Sequence, residues 1–413
     1  MGVIYGNFSL LPGERERVRG QEVIQMGRLV GIIGTGQTRC GRRDDVSYPE
    51  LIYEAVKAAL EDAGLEPQDI EAVVSGSMPP PMEGVNAPHL YWADALCARE
   101  RPSMRVATCG STGMSVAQAG FYHVASGLYD VVLALGVEKM YEGEPQGTMT
   151  TVADPFYQRP FLAGAPGIFS MQGNAYIHRY NIPEDRIRHA AARISVRNHT
   201  DAFDNPYAHI KMKITVEDVL RSRVIAYPTR ILDVCPASDG ACAVIYVSEE
   251  KAQKMGRKVA WVKGVGYAGD EHWFGDSDKV VWESAIVAAK EAYEMAGIRD
   301  PLEELDVAEV YNPFTFQELL FYECFGFCEK GKAVELVENR VVERGGKLPC
   351  APSGGVLCTN PIGATGLQRV AEAALQVTEK AGAHQIPGAK TALAHAMGGM
   401  DQLNGLMIIA SNP

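Results

Sequence analysis

Apolar positions follow two rhythms in this chain, and the rhythms come back in the same order. In "SYPELIYEAVKAALEDAGLEPQDIEAVVSGS" the apolar residues fall at helical spacing up to a stop at Gly64, and a short apolar run then predicts a strand over 70–74. Far downstream, "WESAIVAAKEAYEMAGIRDPLEELDVAEVYNPF" gives the same series: helix, stop at Gly297, acidic turn, strand over 307–311. A second pair, "CGSTGMSVAQAGFYHVASGLYDVVLALG" and "IGATGLQRVAEAALQVTEKAGAHQIPGAKTALAHAMGG", runs from a Gly-x-Thr-Gly turn through a helix to an apolar strand. Two matches in one order predict a duplicated α/β unit; a solenoid would repeat at a much shorter period. "RLVGIIGTGQT" predicts a buried strand running into a glycine turn. The stretch 141–227 breaks the rhythm with Met, Tyr, Pro and Asn, which predicts a cap inserted into the first half.

Length and charge narrow the picture. At 413 residues the chain exceeds what one core supports, so two units are expected: 28–257, carrying the insert, and 258–413, after an extension over 1–27. The formal net charge is −12 without a basic run, which argues against nucleic acid as a partner. Glu14, Arg15, Glu16 and Arg17 interrupt any secretory apolar region, and no apolar run reaches membrane-spanning length, so a cytoplasmic protein is expected. Nine scattered cysteines argue for reduced thiols, and Cys324 and Cys328 lack a second ligand pair, so no metal is expected. The glycines of "GIIGTGQT" imitate a dinucleotide turn, but the next helix does not start there.

The candidate chemistry begins at "VATCGSTGMS". Cys109 precedes a helix predicted to start near Thr112 or Gly113, where unpaired N–H groups and the helix dipole favour a thiolate. Taken alone, the same residues describe an inert cysteine beside a tight turn. The matching turn of the second half lies in "PSGGVLCTNPIGATGLQRV", and a pseudo-two-fold axis would bring Asn360 and its neighbours to the thiol. That stretch also reads as an ordinary strand-to-helix loop.

"TCGSTG", "GVEKM", "CPASDGACAVIYVS", "EVYNPFT", "SGGVLCTNPIGATG" and "HAMGGM" occur in an order that resembles the thiolases, above all the sterol-carrier-protein type and its bacterial and archaeal relatives. The resemblance covers nearly everything after about residue 28. It implies the thiolase fold: α/β, two duplicated βαβαβαββ halves in a five-layered αβαβα arrangement, with an inserted loop domain. It implies a coenzyme A-dependent acyltransferase in which Cys109 attacks a 3-oxoacyl-CoA and carries the acyl group, with coenzyme A as second substrate and no metal. Asn360 stands where the family has the histidine of Gly-His-Pro, and an amide can donate to an oxyanion but cannot take a proton. Tyr311 and Asn312 fall in the family's Asn-Glu-Ala-Phe position, where they could polarise a carbonyl or hold a water. His395 falls at the family's last acid/base position, ahead of the turn with Gly398 whose N–H groups face the nucleophile, and is expected to shuttle protons. His199, His209, Lys211, Lys213, Arg221 and Arg223 are the expected grip on coenzyme A, although a solvated face explains the four basic residues equally well; Cys358 is left as structural.

The resemblance further implies a homodimer paired through a sheet edge, and a small zinc-ribbon/OB-fold partner subunit. It extends to the benzoylsuccinyl-CoA thiolases of anaerobic toluene breakdown, with Tyr91 and Trp92 able to line an aromatic pocket or simply to fill the core. Two readings compete: a non-catalytic acyl or lipid carrier on the same fold, and a condensing enzyme of the ketoacyl-synthase kind.

Overall fold

The computed structural model describes residues 28–78, 82, 84–161, 164–271, 275 and 277–413, so the expected extension over 1–27 lies outside the described residues. In chain order the elements that place the site are β1 (Val30–Gln37), α1 (Tyr48–Ala63), β2 (Ala72–Gly76), β3 (Ser103–Val106), α2 (Thr112–Ala125) and β4 (Val131–Lys139). The insert follows, with α3 (Pro145–Thr150), α4 (Gly164–Tyr180), α5 (Glu184–Asp201) and a small hairpin of β5 (Val224–Ala226) and β6 (Thr229–Arg230). Then come β7 (Asp239–Ser248), β8 (Ala260–Gly269), α6 (Glu283–Ala296), β9 (Val307–Glu309), α7 (Thr315–Cys324), α8 (Ile362–Val377), β10 (Thr391–Gly398) and β11 (Leu403–Ala410).

Nine of these strands join in the order β3-β2-β4-β7-β1-β8-β11-β10-β9. β2 pairs in parallel with β3 and β4, and β9 with β10, while β7, β1, β8 and β11 run antiparallel to their neighbours. The two halves of the sheet meet only where Gly31 and Ile32 of β1 pair with Trp261 and Ala260 of β8. α1 covers the outer face of the first half and α6 that of the second, while α2 and α8 pack on each other between them. This is the five-layered arrangement of duplicated halves.

Local chemistry accounts for the repeat. Ser47 and Glu50 form a reciprocal cap at the start of α1, and Gly64 ends it in the left-handed conformation, as Gly297 ends α6. The glycines of β1 do not make the turn expected of them: the strand runs through to Gln37. They are spacers. A Cβ on Gly34 or Gly36 would lie 2.4 or 2.1 Å from the Ala59 or Ala55 carbonyl oxygen of α1, and one on Gly264 or Gly266 of β8 would lie 2.1 or 1.9 Å from those of Ala292 and Ala288 of α6. Each half thus seats its outer helix against a Gly-x-Gly strand. The strand expected over 307–311 stops at Glu309, because the Tyr311 N–H turns to the His395 side chain instead of a neighbouring strand.

Within the insert, α4 and α5 both pack on α7 of the second half, so the insert bridges the two halves.

Candidate active site

Cys109 sits in the loop between β3 and α2 with φ +57°, a left-handed conformation uncommon for a side chain larger than glycine. The loop is braced on both sides. The Thr108 N–H donates to Thr112 Oγ1 at 2.9 Å, the Ser111 hydroxyl donates to the Thr108 carbonyl at 2.7 Å, and the Thr112 N–H donates to the Cys109 carbonyl at 3.0 Å. Strain at a residue held this firmly is a mark of a working position. α2 starts at Thr112, as the sequence predicts.

The duplicated turns do meet. A Cβ on Gly113 would lie 2.4 Å from the Leu367 nitrogen and one on Gly366 would lie 2.5 Å from the Met114 nitrogen, so the first turns of α2 and α8 touch backbone to backbone. Asn360, just ahead of α8, thereby reaches the cavity into which Cys109 opens.

That cavity measures about 110 Å³. Its floor holds Cys109, Gly110, Tyr311, Asn360, Cys235, Gly398 and Gly399; its walls are Met140, Met149, Val152, Ile168, Phe169, Phe314, Ile362, Met397 and Met400. The walls come from the insert and from both halves. Among the described lining residues there is no Lys, Arg or His side chain.

The electrostatics correct one expectation. Burial pushes the Cys109 thiol above its ordinary pKa, while hydrogen bonds from the backbone N–H groups of Gly399 and Gly110 pull the other way and the Glu138 carboxylate adds to the rise. The helix mouth does not turn Cys109 into a resting thiolate; desolvation outweighs it.

His395 is placed away from the cavity. It is fully buried, edge-on against the rings of Phe321 and Phe325 at centroid distances of 4.4 and 4.7 Å. Its Nδ1 accepts from the Tyr311 N–H at 3.2 Å and its Nε2 donates to Asn404 Oδ1 at 3.1 Å. Asn404 Nδ2 is itself committed to Ser284 Oγ and the Asp401 carbonyl, which fixes the amide and with it the tautomer of the ring. Burial pushes the pKa of His395 down to about 3, against the Asn404 bond. Both nitrogens are occupied, so the proton-shuttle role expected of this histidine has no free nitrogen to act through; what His395 does is hold the backbone of Tyr311.

Asn312 also turns inward rather than to substrate. Its Nδ2 donates to Glu318 Oε2 at 2.8 Å and Asn198 Oδ1 at 3.1 Å, and its Oδ1 accepts from the Val356 N–H at 2.8 Å. Tyr311, the neighbour, keeps its hydroxyl at the cavity, where a Cβ on Gly110 would lie 3.2 Å from it. Asn360 donates from Nδ2 to Cys235 Sγ at 3.2 Å, accepts from the Thr365 hydroxyl at 3.0 Å, and its N–H donates to Ser238 Oγ at 3.1 Å.

The expected grip on coenzyme A is dispersed. His199 is buried in α5 with Nδ1 on the Ser195 carbonyl, and burial lowers its pKa. His209 lies beneath the Asn360 loop with Nδ1 3.0 Å from Ser238 Oγ. Lys211, Lys213, Arg221 and Arg223 are exposed; Arg221 pairs with Glu217, and Lys213 lies over the Phe203 ring. None of the six lines the cavity. Tyr91 is exposed, and Trp92 and Cys358 are buried.

The residue missed is Cys235. It opens "CPASDGACAVIYVS", the segment leading into β7, and nothing in its local pattern marks it; only its recurrence within an ordered motif hinted at more than packing.

With this geometry in view, residues 30–250 match the family model "Thiolase, N-terminal domain" and residues 266–411 match "Thiolase C-terminal domain-like". The chain belongs to the thiolase family. It is similar to an acetyl-CoA acetyltransferase of Methanothermobacter thermautotrophicus, with 34% identity over 90% of this chain and 97% of the relative. It is similar to the benzoylsuccinyl-CoA thiolase subunit BbsB of Thauera aromatica, with 29% identity over 91% of this chain and 96% of that one. Among solved structures, the Ltp2–ChsH2(DUF35) aldolase superposes with a TM-score of 0.80 at 26% identity, covering 94% of this chain and 99% of that one. This thiolase-family chain is an acyltransferase of the coenzyme A-dependent class, with coenzyme A as substrate.

Proposed function

We propose that this thiolase-family enzyme cleaves a 3-oxoacyl-CoA through an acyl group carried on Cys109. The observation that carries the proposal is the strained Cys109 loop, opening into an apolar cavity with the N–H groups of Gly110 and Gly399 at its sulfur. Those two donors are placed to stabilise charge as it develops on the thiolate and on the tetrahedral oxyanion. The thiol ionises when the substrate's carbonyl is at hand rather than in the resting enzyme.

The acyl group is apolar and uncharged. The cavity approaches the roughly 150 Å³ known to hold a benzene ring, and its described lining offers methionines, phenylalanines and prolines without a cation. An aromatic acyl group such as benzoyl suits these walls; the free carboxylate of benzoylsuccinyl-CoA would find no cationic partner among the lining residues. The likeness to BbsB and to the DUF35-bound aldolase supports a partner subunit of the zinc-ribbon/OB-fold type, and the exposed edge of β3 supports a homodimer. Nine free thiols fit a cytoplasmic enzyme.

The test is mass spectrometry after brief incubation with 3-oxo-3-phenylpropionyl-CoA or acetoacetyl-CoA. A benzoyl adduct on the Cys109 peptide, stronger than the acetyl adduct and abolished in Cys109→Ala, is the expected result. An aldol-type cleavage of a 3-hydroxyacyl-CoA is the second reading. It is favoured by the Tyr311 hydroxyl beside Gly110 and by the likeness to the aldolase. Aldehyde release without any adduct on Cys109 would select it.

A further inference from the structure

The cavity contains a second thiol that the family motifs do not assign, and the chain is built to hold it in place. The Cys235 N–H donates to the Pro313 carbonyl at 2.9 Å, and Val234 makes an isolated antiparallel bridge with Phe314. The segment leading into β7 is thereby fastened to the Tyr311–Phe314 segment. Asn360 Nδ2 donates to the Cys235 sulfur at 3.2 Å. Because the amide gives a hydrogen there, the S–H proton of Cys235 cannot point at Asn360 and is left to face elsewhere. Cys235 and Cys109 line the same cavity, together with Tyr311.

This arrangement answers a need of the reaction. Once the carbon–carbon bond breaks, its electron pair moves onto the enolate of the departing acyl-CoA, whose α-carbon must receive a proton. No imidazole lines the described cavity, His395 has both nitrogens occupied, and an asparagine at position 360 has no acid to offer. We infer that Cys235 is the acid and base of the cycle, with Asn360 as its hydrogen-bond donor.

With the acyl-CoA bound, Cys109 gives its S–H proton to solvent, and the thiolate bonds to the 3-oxo carbon. The carbon–carbon bond breaks, and the α-carbon of the enolate takes the Cys235 S–H proton. The Cys235 thiolate, stabilised by the Asn360 N–H, takes the S–H proton of incoming coenzyme A. The coenzyme A sulfur then attacks the acyl thioester, and Cys109 leaves as the thiolate, which takes its proton back from solvent as the product departs. Burial pushes the Cys235 pKa up to about 12, against the Asn360 bond, so the group holds its proton until a strong carbon base forms beside it. The role recasts Asn360 as a partner of the second thiol rather than a donor to the substrate.

The inference rests on the thiolase reading above, and its test separates the two. In D₂O at pD 9 the wild-type protein is expected to exchange the α-protons of propionyl-CoA slowly, through the small thiolate fraction of Cys235, a reaction that needs the acid/base group but no acyl transfer. Cys235→Ala and Cys235→Ser should each lose this exchange by a factor on the order of 10² to 10⁴, the range for losing a general acid/base. Their Cys109 should still be alkylated by iodoacetamide at the wild-type rate, which shows that the loop and cavity are intact. Exchange within about twofold of wild type in both variants would overturn the role of Cys235, as would a wild type that acylates Cys109 yet exchanges nothing. A wild type that exchanges α-protons but never acylates Cys109, with exchange lost in the variants, would uphold Cys235 and sink the acyl-enzyme instead.

Discussion

At the scale of single residues, burial decides more than sequence neighbourhood. Cys109 has the helix mouth and two N–H donors expected of an activated thiol, yet loss of water raises its pKa. Its alkylation should therefore be slow at neutral pH and climb about tenfold per pH unit up to and beyond pH 9, with acyl-CoA protecting it. A rate that levels off between pH 6 and 7 would show a resting thiolate and contradict this. His395 illustrates the same rule with opposite charge. Its pKa falls to about 3 in the fold, against about 6.5 when unfolded, so the folded state binds fewer protons between those values. The stability it contributes is whole above about pH 6.5 and is lost as pH falls towards 3. His395→Ala should cost about 2–4 kcal/mol in urea denaturation, from the cavity and the orphaned Tyr311 N–H. The pH–rate profile of the variant should keep the wild-type shape; loss of a titration between about pH 6 and 7 would restore His395 as the proton carrier.

At the scale of elements, the turn between β10 and β11 ties the site to the insert. It carries Gly398 and Gly399 to Cys109 and ends at Asp401, whose φ of +70° an aspartate or asparagine tolerates. The buried Asp401 carboxylate accepts from Gln172 of α4 and, at 3.0 Å, from Gln317 of α7, while both glutamine Oε1 atoms have no partner. Burial raises the Asp401 pKa to about 7, against both glutamine bonds. Here the folded state binds the extra proton: the stability this group gives is full below about pH 4, drains away as pH rises to 7, and leaves a charged carboxylate buried above that. Asp401→Asn removes the charge and adds a donor for an unpartnered glutamine oxygen. It should raise the melting temperature at pH 8 and leave it nearly unchanged at pH 4; a loss at pH 8 would mean that the turn requires the carboxylate. The elements themselves are legible in the sequence where their ends are local chemistry: α1 begins on the Ser47 cap, and α1 and α6 both end on a left-handed glycine. The glycines of β1 imitate a turn in the sequence because their reason lies in α1, a neighbour in space.

For the whole molecule, the two ends of the sheet differ. At one end Ala308 of β9 makes a bridge to Cys350, whereas β3 pairs only with β2 among the described residues and leaves Met104 half exposed. An open edge beside the nucleophile loop invites a second copy. Light scattering at micromolar concentration should give a dimer, and Met104→Lys at that edge should shift it towards monomer; a wild-type monomer would remove the proposal. The sequence by itself determined the duplication, the order of elements, the family and the placement of Cys109 at a helix mouth. Each of these is written in short-range spacing or in motifs that repeat. Which polar groups share the cavity was decided only by the tertiary structure. Asn312 and His395 sit among residues of the family's motifs and turn inward, while Cys235, to which its motif gives no role, turns to the site. The physical reason is that a cavity is made of faces from distant segments, and a titrating group takes its charge from the water it loses and the partners it meets there.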